Sequence, residues 1–237
     1  MIYSGACNPI TCEGGFTVKL RIIFSAISFA LTLFGFLYGA FHLFREKKPL
    51  YFKLIVASAG CFAFEQLSLL VNYLTDGYYY ITLGKLGIFG SLLFLLSAEY
   101  GSLDRLVDDG AGTKKYRTAA LIAPALCIFA LALIFYFAYP LGIVIASLTV
   151  FILLPSVPAS YFTLKHIILP TDALGFSKAT RAGNICTLAF CLLLFASDIA
   201  LLYDSIFGNV FTVLTALLSA LISIFAVRGE RSWKELI

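Results

Sequence analysis

Seven runs of about twenty mostly apolar residues follow one another along this chain, and little sequence is left between them. Nothing else constrains the fold as strongly. Within a bilayer every backbone N–H and C=O must be satisfied inside the segment, so runs of this length read as membrane-crossing helices. Apolar residues make up 61% of the 237 positions and charged residues 13%. A soluble domain carries roughly 45–50% and about 25%. The expected fold class is therefore all-α, a polytopic seven-helix transmembrane bundle with no soluble domain beside it.

The runs are read in order as about 22–44, 52–74, 81–102, 118–137, 141–164, 182–203 and 210–227. Residues 1–20 form a short extracytoplasmic head without regular structure. Residues 21–228 form the membrane domain, and 229–237 a short tail. No apolar region precedes Ser4–Cys7, so a lipoprotein-type leader is not read there, and the first apolar run is too long for a cleavable signal. Cys7 and Cys12 either close a small disulfide loop or remain two thiols. Cys61, Cys127, Cys186 and Cys191 lie in apolar runs and read as small packing residues.

Local chemistry marks the connections. Thr75–Tyr80 is a tyrosine-rich turn suited to the interfacial belt. The block 118–164 is too long for one crossing, so Tyr139-Pro140 marks a tight hairpin. Pro155 and Pro158 each remove a backbone donor and should kink the fifth span.

Basic residues sort by side. Arg45, Lys47, Lys48, Lys53, Arg105, Lys114, Lys115, Arg117, Lys165, Lys178, Arg181, Arg228, Arg231 and Lys234 fall on alternate connections and the tail. They are fourteen of the seventeen Lys and Arg. Only Lys19, Arg21 and Lys85 fall on the other side. The positive-inside rule then puts the N-terminus outside and the C-terminus in the cytoplasm. It also accounts for the net charge of +4 without a nucleic-acid partner.

Ionisable residues at membrane depth are the candidates for function, because each costs several kcal/mol on insertion scales and normally has a partner. On this threading Glu65, Lys85 and Asp198 lie in the outer halves of spans two, three and six, and Asn72 lies near the outer end of span two. They can converge on an outward-facing site for a small polar ligand or ion. The alternative is that Lys85 snorkels to the interface while Glu65 is protonated or pairs locally. Glu99, near the cytoplasmic end of span three, is read as structural, paired to Arg105 or Arg45. Gly84, Gly87, Ser91 and Ala98 form a small-residue face that lets a neighbouring helix approach.

Other chemistries find no support. His42 and His166 fall near the cytoplasmic interface, no His/Cys cluster has metal-ligand spacing, and no phosphate-cradling glycine loop occurs. No metal or cofactor is expected. If the chain were a hydrolase, Glu65 and Asp198 would be its paired acids. A transporter would need broken helices or repeats at the midplane, and the prolines of span five keep that reading open.

The stretches GCFAFEQLSLLVNY and LGKLGIFGSLLFLLSAEYGSLDR carry a resemblance over about residues 56–130. Glu65, Lys85-Leu86, Leu86-Gly87-Ile88, Glu99-Tyr100 and Ala123-Pro124-Ala125 resemble the seven-transmembrane N-terminal sensor region of bacterial histidine kinases. The resemblance implies a bacterial cytoplasmic-membrane location and ligand sensing rather than catalysis. In that family an output domain follows the last span. This chain stops ten residues after Val227, which implies a stand-alone module signalling through a cytoplasmic protein or a second copy. A second, weaker likeness lies in LLLFASDIALLYDSIFG, where Ser197-Asp198 is similar to the lysoplasmalogenase family of lipid hydrolases. That family has Gly-Asp and Ala-His pairs earlier, where this chain has Phe64-Glu65 and Ala98-Glu99.

Overall fold

The computed structural model describes residues 14–44, 47–75, 83–104, 114–169, 176–202 and 206–234. Among them all regular structure is helical, joined by short turns, without a strand. The helices are α1 (Gly14–Leu43), α2 (Leu50–Leu74), α3 (Lys85–Leu96), α4 (Lys114–Ala120), α5 (Ile122–Ala138), α6 (Ile143–Leu153), α7 (Ser156–Ile168), α8 (Phe176–Leu202) and α9 (Ile206–Lys234). A π-helical turn, Ser97–Leu103, extends α3. Seven of the resulting helical spans are long and apolar enough to cross a membrane. This is a multi-pass membrane helical bundle.

Its surface and interior have the polarity that a bilayer demands. Large apolar side chains face outward, with Phe41, Ile122, Phe129 and Val144 all more than 60% exposed. A soluble monomer does not present apolar area on that scale. The interior in turn holds small polar residues, among them Ser25, Ser28, Thr32, Ser58, Ser91, Thr187 and Ser223. Small residues let helices approach closely where lipid gives no hydrophobic drive to association. Gly35 shows this: an added Cβ there would collide with the Ala220 backbone, so α1 and α9 touch main chain to main chain.

Four segments differ from the sequence expectation. Helix α1 begins at Gly14, so the head is partly helical. Helix α9 continues past Val227 to Lys234, which makes the tail an extension of the last span. The basic segments 103–117 and 165–181 are shorter as connections than expected, because α4 starts at Lys114, α7 runs to Ile168 and α8 starts at Phe176. Lys and Arg are good helix formers, and a helix end outside the bilayer can take them. Cys7, Cys12 and Tyr78–Tyr80 lie outside the described residues. Cys61, Cys127, Cys186 and Cys191 are free thiols.

The hairpin at Tyr139-Pro140 is a 3-10 turn, Tyr139–Leu141, closed by Gly142 at φ 125°, a value that favours glycine. Span five is interrupted at Leu154-Pro155, between α6 and α7. Span four is interrupted at Leu121, between α4 and α5. Both breaks have one cause, since a proline ring clashes with the carbonyl four residues back. Pro158 acts on Leu154 and Pro124 on Ala120. Pro158 is itself accommodated as the third residue of α7, where no intrahelical donor is required. The carbonyls freed near Pro155 are taken up locally: Val157 N–H donates to Leu154 O (3.1 Å), and Ser156 Oγ donates to Leu153 O (2.6 Å).

Candidate functional site

Helix α2 places Tyr51, Ser58, Glu65 and Asn72 at every seventh position, hence on one face at about 10 Å intervals. Helix α8 repeats the pattern with Asn184, Cys191 and Asp198. The two stripes face the interior together with α3, and they end in two polar centres separated by apolar core.

The first centre lies where α3 begins. Lys85 Nζ meets Asp198 Oδ1 at 2.5 Å, and the two side chains are 9% and 4% exposed. Lys85 is thus buried and paired across the bundle rather than snorkelled outward. Glu65, also buried, accepts a hydrogen bond from its neighbour Gln66 and lies within electrostatic range of both Lys85 and Asp198. Gly84 and Gly87 make this approach possible. A Cβ on Gly87 would strike the Cys61 carbonyl and the Glu65 backbone, and one on Gly84 would strike Ser68. Ser91 continues the same small face, with its Oγ 3.5 Å from Ser58 Oγ. On the far side of Asp198, Ser197 Oγ bonds Thr212 Oγ1 at 2.9 Å and ties α8 to α9.

Several polar atoms of this centre are buried without a hydrogen-bond partner: Asp198 Oδ2, Gln66 Oε1 and, two turns further along α2, Asn72 Nδ2. The structure therefore brings Glu65, Lys85 and Asp198 together. Asn72 shares the face of Glu65 but stands about 10 Å away along the helix.

The second centre lies at the opposite end and is larger than the sequence suggests. Glu99 Oε1 accepts from Tyr51 Oη at 3.0 Å, and Glu99 Oε2 lies 2.6 Å from His166 Nδ1. The other ring nitrogen, Nε2, is 3.3 Å from Asp104 Oδ1, which also receives Lys165 Nζ at 2.6 Å. Tyr51 Oη is 2.9 Å from the Asn184 amide. The tyrosine has one proton and gives it to Glu99, so the Asn184 amide is best read with its nitrogen toward Tyr51. One amide N–H then donates to Tyr51 Oη, and the amide oxygen takes the buried position that has no hydrogen-bond partner.

Both Glu99 oxygens are engaged, by Tyr51 and by His166. The arginines expected as its partners, Arg45 and Arg105, lie outside the described residues. The π-turn brings Glu99 and Asp104 to the same histidine. Residues five apart on an α-helix point about 140° away from each other. In the π-turn the Asp104 N–H bonds the Glu99 carbonyl, an i to i+5 link, which brings Glu99 and Asp104 onto one side. Burial raises the Asp104 carboxyl, but hydrogen bonds and positive charge from His166 and Lys165 outweigh it. The group is held below its ordinary value of 3.8.

Between the two centres the packing is mostly apolar, with the Ser58–Ser91 hydroxyl pair within it. Phe62 of α2 and Phe190 of α8 meet edge to face at 5.1 Å, with Leu92, Leu95 and Cys191 beside them, all buried. Among the described residues no group of three or more His, Cys, Asp or Glu is disposed to hold a metal ion.

Sequence reasoning missed His166, Tyr51, Asn184, Asp104 and Lys165. The seven-residue recurrence of polar side chains in α2 and α8 is the signal that points to Tyr51 and Asn184. Nothing local marks His166, whose partners come from 67 and 62 positions away.

The fold and its two buried polar centres define a multi-pass α-helical membrane bundle. No protein-family model, curated protein or solved structure matches the chain.

Proposed function

We propose that this bundle is a sensor- or receptor-like module of a bacterial cytoplasmic membrane. Its basic end faces the cytoplasm, with the N-terminus outside and the C-terminus inside. A small polar ligand or ion is bound at Glu65, Lys85 and Asp198, with Asn72 toward the entrance. The signal passes to a cytoplasmic partner or to a second copy of the chain. The observation that carries this reading is the unpartnered Asp198 Oδ2 beside Glu65 in a buried centre. Two carboxylates against one ammonium leave acceptor capacity, which favours a small cation or an ammonium-bearing molecule. Binding must favour one helix packing over another to signal at all.

Three observations favour sensing over the other readings. The break at Leu154-Pro155 lies mid-span, as in discontinuous-helix transporters, but its carbonyls are taken by Val157 and Ser156 rather than left for an ion. The apolar Phe62–Phe190 contact also lies between the two centres. The lysoplasmalogenase-type hydrolases have Gly-Asp and Ala-His pairs where this chain has Phe64-Glu65 and Ala98-Glu99.

The test is hydrogen exchange on the full chain in lipid nanodiscs, with sodium, potassium and small primary and quaternary ammonium compounds as probes. Added probe is expected to protect the outer halves of α2, α3 and α8, and Glu65→Gln to remove the effect. Protection unchanged by every probe would reject the site. Lyso-ether-lipid turnover that disappears in Asp198→Asn would favour the hydrolase instead.

A further inference from the structure

The second centre has a property that the outer one lacks: its imidazole is placed between two carboxylates. A neutral imidazole has one N–H and one lone pair, whereas an imidazolium has two N–H groups. With Nδ1 at 2.6 Å from Glu99 and Nε2 at 3.3 Å from Asp104, a neutral ring would point its lone pair at a carboxylate oxygen. Both contacts are attractive only when the cluster holds one proton more than a neutral histidine and two carboxylates.

We infer that Glu99, His166 and Asp104 form a proton-binding lock that fastens the π-turn of α3 to α7 at the basic end of the bundle, and that loss of the proton opens it. The ligand is the proton itself. Its route is given by burial, since the His166 and Glu99 side chains are 3% and 1% exposed while Asp104 is 17% exposed. The proton therefore leaves past Asp104. The neutral ring keeps its remaining N–H on the shorter, more buried Glu99 contact, and the 3.3 Å contact to Asp104 is lost. The i to i+5 turn then loses one of the two His166 contacts that hold it against the more stable α-helical winding, while Tyr51 keeps Glu99 and Lys165 keeps Asp104.

The charges around the ring set the direction of the response. From α3 come Glu99 and Asp104, which hold the proton. On α7 itself Lys165 shares Asp104 and competes for it. From α2 Tyr51 donates to Glu99, and behind it stands the neutral Asn184 of α8. From α5 the neutral thiol Cys127 bonds Ser160 of α7 at 3.3 Å, and α8 adds the buried thiol Cys191. Helix α4, also packed on α7, carries Lys114, Lys115 and Arg117, which oppose the proton. The lock is closed at lower pH and opens as pH rises. It needs no ligand at Glu65, Lys85 and Asp198, so it stands or falls apart from the function proposed above.

The chain has two histidines, which makes the test direct. The full chain, labelled with nitrogen-15 histidine and reconstituted in nanodiscs without added ligand, is titrated from about pH 6 to about pH 10, spanning the imidazole range and above. Ring nitrogen shifts report the protonation of His166 and of His42. Hydrogen exchange, corrected for intrinsic rate, reports residues 97–103 on the same samples. His166 is expected to remain imidazolium to higher pH than in Glu99→Gln. Protection of 97–103 should fall about tenfold at the same midpoint, equivalent to about 1.4 kcal/mol. In His166→Gln that protection should be flat with pH. A His166 ring that is neutral throughout, or protection that follows pH equally in wild type and His166→Gln, overturns the lock. If His166→Gln does not fold, the wild-type midpoints decide: coincidence supports the lock and separation rejects it.

Discussion

Lys85 and Asp198 meet at 2.5 Å across 113 positions of sequence, buried between the first turn of α3 and the later turns of α8. A buried pair of this kind stabilises little against well-packed apolar residues, but removing one partner strands a charge. This asymmetry makes its role measurable.

Lys85→Met is therefore expected to destabilise the bundle by about 3–5 kcal/mol, and Lys85→Met with Asp198→Leu to recover most of that loss. Thermal unfolding of wild type, the two single variants and the double variant in one detergent checks it. Additive losses in the double variant would show that the two side chains do not act as a pair.

Two glycines of α3 and its π-turn predict opposite outcomes. Gly87→Ala must push α3 off the Cys61 carbonyl and is expected to cost about 1–3 kcal/mol. Gly101 has nothing within 4 Å of an added Cβ, so Gly101→Ala is expected to be neutral or stabilising by up to about 1 kcal/mol. Unfolding midpoints of the two variants, compared with wild type, decide this.

Asp104 predicts an acid sensitivity with a definite sign. Its folded value lies below the ordinary 3.8, so its contribution is fully present above that value. The contribution is lost as pH falls through the lower, folded value, because protonation removes the acceptor for His166 and Lys165. Asp104→Asn should be less stable than wild type near neutrality, and the gap should close in strong acid. A gap independent of pH would show that the carboxylate charge contributes nothing.

The orientation proposed from basic-residue asymmetry is checked by fusions after the last residue. A fluorescent-protein fusion in bacteria is expected to be bright and an alkaline-phosphatase fusion inactive. The reverse pattern would invert the topology and move the Glu65 centre to the cytoplasmic side.

Much of this structure is legible in the residues alone. Seven apolar runs impose seven helical spans, because an unpaired backbone is untenable in lipid. Tyr139-Pro140 announces its turn, and Gly84, Gly87 and Ser91 announce a close helix contact. Pro155 and Pro158 mark the interruption of span five. The matching break of span four, set by Pro124, follows from the same clash but is hidden in an uninterrupted apolar run. For the first centre, the depth of Glu65, Lys85 and Asp198 follows from counting residues along each span.

Depth, however, is not azimuth. The sequence by itself determined the fold class, the number of spans and the residues that cannot remain at membrane depth without a partner. Only the tertiary structure decided which partners those are. Pairing depends on how each helix is rotated about its axis, and long-range packing sets that rotation. Glu99 shows the difference. On a regular helix it and Asp104 diverge, and an arginine nearby in sequence is the natural partner. One π-turn rotates both onto His166, and no local property of Ser97–Leu103 records that, because its energy comes from α2 and α7.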